Sequence, residues 1–325
     1  MELNEFLAEW HNDNPRILVH TSGSTGKPKP LMVEKRRMLN SARITCDFLG
    51  LKPGDTALLC MSLDYIAGKM MVVRSLQRDL RLTTVRPSSH PLADETLPHF
   101  TFAAMVPMQV YNTLKVPRER ERLMRIRHLI IGGGAISDEL AQMIKPLPNA
   151  VWSTYGMTET LSHIALRRLN GPDASLWYTP FDGVGISLNA DGCLVIDAPE
   201  VCAEPLATND IAQLRTDDRT GKTLFRIKGR KDNVVCSGGI KIQIEEVEET
   251  LRPHLSEPFI IVKKQDEMLG EKAILLTESA DLTHIEEICR NTLPKYWVPR
   301  EFLHIDRLPL TETGKPKRTL PFTPR

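Results

Sequence analysis

Three stretches of this chain combine residue types that could act on a phosphorylated substrate. In Thr21-Ser22-Gly23-Ser24-Thr25-Gly26-Lys27-Pro28-Lys29 the glycines let backbone N–H groups turn toward an anion, the hydroxyls add donors, and the lysines add charge. The loop is not a Walker A loop, because the spacing Gly23-x-x-Gly26-Lys27 is too short and Pro28 stands where Ser or Thr is required. By composition alone a flexible Ser/Gly linker explains it equally well. Tyr155-Gly156-Met157-Thr158-Glu159-Thr160 brings an aromatic face, a hydroxyl and a carboxylate to the end of an apolar strand. Open α/β sheets bind ligands at such ends, and a carboxylate near phosphates is a natural Mg²⁺ ligand; a surface turn is the plainer reading. Gly132-Gly133-Gly134 follows another apolar run, but a dinucleotide fingerprint needs glycine where Ser137 stands. Further on come Asn209-Asp210, Gly229-Arg230-Lys231-Asp232-Asn233, Ser237-Gly238-Gly239, and Leu308 to Lys315 with its Thr313-Gly314-Lys315 end. An Asp can accept from ribose hydroxyls, and a Lys beside Gly can carry a mobile charge, although each alone reads as a solvated charge.

Short apolar runs alternate with amphipathic segments, so the fold class is α/β. Ile17 to His20 reads as a strand end and Thr56 to Met61 as a buried strand. Leu129 to Ile131 is another strand, and Val151-Trp152 starts a short one that ends at the loop Tyr155 to Thr160. In Glu34 to Leu49 the residues Met38, Ala42, Cys46 and Leu49 fall on one helical stripe, with Gly50 as the C-terminal cap. Ser137, Asp138 and Glu139 suit a helix start. Past about residue 175 turns become frequent, with strands at Cys193 to Asp197 and Leu224 to Ile227. The tail mixes strands (Phe259 to Val262, Ala273 to Thr277) with helices at about Glu245 to Leu251 and His284 to Leu293. The polar segment at Gly229 to Asp232 divides the chain into expected domains 1–229 and 230–325.

The 325 residues carry a formal charge of +1, which gives no basic excess for nucleic acid or an anionic membrane. No apolar run approaches the ~18 residues of a membrane span, and the acidic start does not read as a signal peptide. The six cysteines, Cys46, Cys60, Cys193, Cys202, Cys236 and Cys289, form no C-x-x-C pair, so buried free thiols in a reducing cytoplasm are expected.

Taken in order, these motifs resemble the adenylate-forming superfamily of acyl-CoA synthetases, adenylation domains and luciferases, from about residue 17 to about 318. The resemblance implies a large N-terminal αβ domain and a small mobile C-terminal α+β domain. Most members have a longer stretch before the phosphate loop, so a subdomain is expected to be missing or replaced here. Thr21, Ser22, Gly23, Ser24, Thr25, Gly26 and Lys29 would hold the ATP phosphates. Thr158 would meet the α-phosphate and Glu159 would hold Mg²⁺. Tyr155 would stack on adenine, with Gly156, Gly133 and Gly134 in the same pocket. Asp210, preceded by Asn209 in place of the usual Gly, and Arg230 would bind ribose. Asp232 would be the hinge and Lys315 the catalytic lysine. The reaction implied is adenylation of a carboxylic acid by ATP followed by transfer to CoA, with Gly238 and Gly239 giving its pantetheine arm room. The segment Ser62 to Leu76 and the run Tyr155 to His163 further resemble the 2-succinylbenzoate–CoA ligases of menaquinone biosynthesis. That acid has a second carboxylate to neutralise, for which Lys69 is the first candidate and Arg74 or His163 the alternatives. A ligase for another aromatic or short-chain acid, or an inactive binding module, remain the other readings; the oligomeric state is not legible.

Overall fold

The computed structural model describes residues 1–20, 30–134, 136–309 and 317–318. The chain divides into two compact units: Met1–Ser187, Ile196–Leu206 and Leu214–Phe225 form one; Leu188–Val195, Ala207–Gln213 and Arg226–Arg325 form the other.

The first unit opens with helix α1 (Leu3–His11) and strands β1 (Arg16–His20) and β2 (Pro30–Glu34). These strands pair antiparallel with His20 opposite Pro30. Helix α2 (Lys35–Leu49) buries Met38, Ala42, Cys46 and Leu49 as the stripe predicts. Gly50 closes it in the left-handed conformation at φ 64°, where glycine carries no Cβ penalty. Then follow β3 (Thr56–Leu59), α3 (Ile66–Arg78), β4 (Arg81–Thr84), β5 (Phe102–Met105), α4 (Pro107–Lys115), α5 (Pro117–Met124) and β6 (His128–Ile131). Helix α6 (Asp138–Ile144) is capped by Ser137, whose side chain accepts from Leu140 N. Strands β7 (Ala150–Gly156), β8 (His163–Arg168) and β9 (Thr179–Pro180) complete a seven-stranded sheet in the order β4-β3-β5-β6-β7-β8-β9. Strands β3 to β7 pair in parallel, whereas β7–β8 and β8–β9 are antiparallel. Leu58, Ala103, Leu129 and Val151 pack with Val110, Leu114, Leu123, Leu140 and Ile144 in one core cluster. The alternating residues Ala57, Leu59, Phe102 and Ile130 are buried too, as in a sheet covered on both faces. Helix α3 packs on β3 and β4 and against α2, and its residues Gly68 to Ser75 are all buried.

Strands β10 (Gly185–Leu188), β11 (Cys193–Asp197), β12 (Leu206–Thr216) and β13 (Thr223–Arg230) form a four-stranded sheet in that order. In the second unit, β14 (Val234–Ser237), β15 (Ile240–Gln243), β16 (Phe259–Asp266), β17 (Gly270–Thr277) and β18 (Glu301–His304) make a five-stranded sheet. Helices α7 (Ile244–Leu251) and α8 (Leu282–Thr292) bury Val247, Leu251, Ile285 and Cys289 in the cluster that contains Ile261 and Leu275. Among the described residues no helix is long and apolar enough to cross a membrane. All six cysteines are free; five are buried, but Cys236 is exposed, against the expectation that all would be buried.

Candidate functional site

The parallel strands of the first unit end at one edge of the sheet, which there carries Gly132 to Gly134 and the Tyr155 segment. Gly132 N donates to Met105 O at 3.1 Å, and a Cβ on Gly132 would fall 2.4 Å from Thr154 Oγ1. Gly133 has φ +79° and lies against Val106. Strand β7 runs further than expected: Tyr155 and Gly156 belong to the strand, because antiparallel pairing with β8 extends it to Gly156 opposite His163 across a bulge. The Tyr155 ring packs at 5.7 Å from Tyr178 and edge-on at 5.0 Å from Phe225. Beyond Gly156 a single 3₁₀ turn, Thr158–Thr160, presents Glu159 to solvent and buries Thr158. Thr160 Oγ1 accepts from Met157 N at 2.9 Å, which ties the turn. The following residue, Leu161, is buried with φ 64°, a conformation unusual for leucine, so packing and hydrogen bonds must hold it there.

Gly156 is sterically obligatory. A Cβ there would sit 2.2 Å from Ser162 O and 2.5 Å from His163 Cα, both backbone atoms. Gly156→Ala is expected to lower stability by ~1–3 kcal/mol through forced displacement of the bulge. Denaturant midpoints of the two proteins check this.

The three candidates for the acid's second carboxylate part company. Lys69 lies on the side of α3 toward the amino end of the chain. Its ammonium donates to Leu18 O at 2.8 Å and sits 5.9 Å from the Phe6 ring centre. Burial lowers its pKa, against the opposing pull of Glu9 and Asp64. Arg74 and His163 instead meet in one buried cluster, together with Ser162 and Thr45. Arg74 is 2 % exposed, and among the described residues it has no carboxylate partner. Its Nη2 donates to Ser162 Oγ at 2.6 Å, its Nη1 lies 3.9 Å from Met71 Sδ, and its buried Nε has no hydrogen-bond partner. Burial brings the guanidinium down to about 10, still charged at neutral pH. His163 Nδ1 lies 3.2 Å from Ser162 Oγ, and its Nε2 lies 3.1 Å from Thr45 Oγ1. Thr45 and Ser162 were not singled out from the sequence. The available signal was a hydroxyl on the buried stripe of α2, three residues after Ala42.

Burial, and secondarily the charge of Arg74, hold the His163 imidazole well below its ordinary 6.5. The unfolded chain therefore takes up a proton near pH 6.5 that the folded chain refuses. Stability is unaffected above that pH and is lost as pH falls below it. At pH 5.5 the loss is expected to be roughly 1.4 kcal/mol, and His163→Gln should lack that component. Urea unfolding of both proteins at pH 7.5 and 5.5 measures the difference.

In the second unit Arg230 Nη1 meets Asp210 Oδ1 at 3.2 Å, so the two residues expected at ribose are neighbours. Arg230 Nη2 also donates to Asp232 Oδ2 at 2.6 Å, and Asp232 lies in the short turn Lys231–Asn233. These carboxylates raise the guanidinium's pKa although burial opposes them. Gly238 and Gly239 form the two-residue turn between β14 and β15, where Ser237 pairs with Ile240. Their φ values of +57° and +83° match the turn in which both central residues are left-handed. Thr21, Ser22, Gly23, Ser24, Thr25, Gly26, Lys29 and Lys315 lie outside the described residues. Among those described, no three His, Cys, Asp or Glu residues converge on a metal position. A lone exposed carboxylate such as Glu159 suits Mg²⁺ that takes its other ligands from phosphates and water.

A doubly covered, mostly parallel sheet with glycine and Tyr-Gly-Met-Thr-Glu turns at its carboxyl edge, and an α+β second unit, describe a class of nucleotide-using enzymes. The chain belongs to the family of AMP-binding enzymes, whose family model matches residues 4–203. The 2-succinylbenzoate–CoA ligase of Bacillus mycoides is 25 % identical over 94 % of this chain and 69 % of its own length. An AMP-forming acyl-CoA synthetase/AMP-acid ligase II-like protein of Dyadobacter fermentans, solved as a crystal structure, is 34 % identical with a TM-score of 0.67. That match covers 97 % of this chain and 91 % of the other. The Bacillus subtilis O-succinylbenzoate CoA synthetase, solved with ATP and magnesium, shares the fold at TM-score 0.72 and 22 % identity over 93 % and 68 % of the two chains.

Proposed function

We propose that this chain is an AMP-forming carboxylate–CoA ligase acting on an acid with a second anionic group, and that the acid is 2-succinylbenzoate, in the cytoplasmic route to menaquinone. The observation that carries the substrate reading is Arg74: a buried guanidinium without a carboxylate partner among the described residues. A buried charge needs a compensating charge or hydrogen bonds, and a dicarboxylate supplies one on binding. Lys69, already engaged by Leu18 O, is given no part in holding it.

A carboxylate is a poor acyl donor because oxide is a poor leaving group. Attack of its oxygen on the α-phosphorus of ATP forms an acyl-adenylate and releases pyrophosphate; a thiol then displaces AMP. The protein's part is to position two mutually repelling anions and to stabilise the charge that develops at phosphorus. In this reading Thr21, Ser22, Thr25 and Lys29, with Gly23, Ser24 and Gly26 between them, hold the β- and γ-phosphates. Thr158 faces the α-phosphate; Tyr155, Gly156, Gly133 and Gly134 bound the adenine. Glu159 would hold Mg²⁺, which supplies positive charge to the phosphates when bound. Asp210 accepts from the ribose hydroxyls, and Arg230 orients it. Lys315 bridges the attacking carboxylate and the α-phosphate. The residues beyond Asp232 then turn about it, withdrawing Lys315 and admitting CoA past Gly238 and Gly239.

ATP–pyrophosphate exchange over a panel of aromatic and dicarboxylic acids, with detection of the CoA thioester, tests the proposal. Exchange with 2-succinylbenzoate and formation of its thioester support it. Exchange only with other acids keeps the mechanism and overturns the substrate. No exchange with any acid, by folded protein, overturns the activity and leaves a binding module.

A further inference from the structure

Arg74 and Ser162 come from elements that do not determine each other's spacing, and four hydrogen bonds join them to helix α2 through His163. The direction of every bond in this chain is fixed by chemistry. Thr45 Oγ1 lies 3.0 Å from Ser41 O; a carbonyl can only accept, so the threonine proton is spent there. Thr45 must then accept from His163 Nε2 at 3.1 Å, which places the imidazole proton on Nε2 and leaves Nδ1 as an acceptor. At the other end a guanidinium can only donate, so Ser162 Oγ accepts from Arg74 Nη2 at 2.6 Å. Its own proton is therefore free to go to His163 Nδ1 at 3.2 Å. Among the described residues the result is a one-way relay, Arg74 to Ser162 to His163 to Thr45 to Ser41 O. Ser41, Thr45, Arg74 and His163 are buried and Ser162 is half-buried, so the His163–Thr45–Ser41 links lie away from solvent.

We infer that Thr45 is a positioning residue for the acid site: by fixing the Nε2–H tautomer of His163 it fixes the Ser162 hydroxyl, and through it the plane of the Arg74 guanidinium. The inference rests on the assignment of Arg74 to the substrate's second anion. A protonated His163 would break the relay, because both ring nitrogens would donate, Ser162 would face two donors, and a second positive charge would stand near Arg74. Thr45 lies on α2 and outside the motif segments, so its contribution is specificity for the acid rather than for ATP.

The test pairs spectroscopy with kinetics. With the ring nitrogens of the nine histidines labelled with ¹⁵N and His163→Gln used to assign the signal, His163 at pH 7 is expected to be neutral and protonated on Nε2. Thr45→Val removes the acceptor. It should move the nitrogen signals toward the other tautomer and raise the KM for 2-succinylbenzoate about tenfold, with the KM for ATP unchanged. Thr45→Ser restores the acceptor and should restore both readouts. A wild-type imidazole protonated on Nδ1, or on both nitrogens, overturns the relay. So does a Thr45→Val spectrum identical to wild type, or an equal rise of both KM values. If Thr45→Val does not fold, the wild-type tautomer and the Thr45→Ser kinetics still decide. If the wild-type enzyme takes 2-succinylbenzoate no better than benzoate, the substrate assignment fails while the nitrogen signals still judge the relay.

Discussion

Arg74→Met is expected to raise the KM for 2-succinylbenzoate at least a hundredfold and, at the same time, to make the protein more stable. The two effects share one cause. The guanidinium is buried and, among the described residues, makes a single close side-chain bond, to Ser162. Removing one partner of a buried charge pair costs ~3–5 kcal/mol of the interaction, which is roughly two to nearly four powers of ten in acid binding. In the free protein the same charge has no carboxylate partner among the described residues, so an unbranched apolar side chain of similar length should recover ~1–3 kcal/mol. Steady-state kinetics in each substrate and denaturant midpoints of the free proteins give both numbers. An inactive variant that is also less stable would make Arg74 a structural strut between α3 and the residue that precedes β8, and would remove the main support for a dianionic substrate. Such opposition between stability and function is common where a site is built for a charge that only the ligand balances.

Lys315→Ala is expected to reduce acyl-adenylate formation by about 10²–10³-fold, the usual effect of losing one group aimed at developing charge. Thioester formation from supplied acyl-adenylate should remain within a few-fold of wild type, because in the proposed mechanism Lys315 acts only in the first half-reaction. Pyrophosphate exchange reads the first step, and CoA thioester production from synthetic acyl-adenylate reads the second. Equal loss in both would count against the turn about Asp232.

Local elements were largely legible. The stripe Met38-Ala42-Cys46-Leu49 with Gly50, and the cap at Ser137, are fixed by interactions within a few residues and appear as expected. The end of β7 was not, because Tyr155 and Gly156 become strand only through pairing with Ala165 and His163, which no local pattern reveals. Helix α1 carries no apolar stripe that would mark it, because in its nine residues Phe6 alone is buried. At the site, the motifs marked which residues to watch but not which of them face one another. Lys69 and Arg74 are five positions apart on a helix, roughly 140° around its axis, so they were never suited to a common target; that arithmetic was available from the sequence. The contact between Thr45 and His163, 118 positions apart, was not.

The distribution of sulfur has a practical consequence. Cys46, Cys60, Cys193, Cys202 and Cys289 are all enclosed, and Cys236 on β14 alone faces solvent. A maleimide should therefore count one group per native chain and six per denatured chain. The protein thus carries its own gauge of unfolding, and a natural attachment point for a fluorophore that reports on the carboxyl-terminal unit without any engineered cysteine.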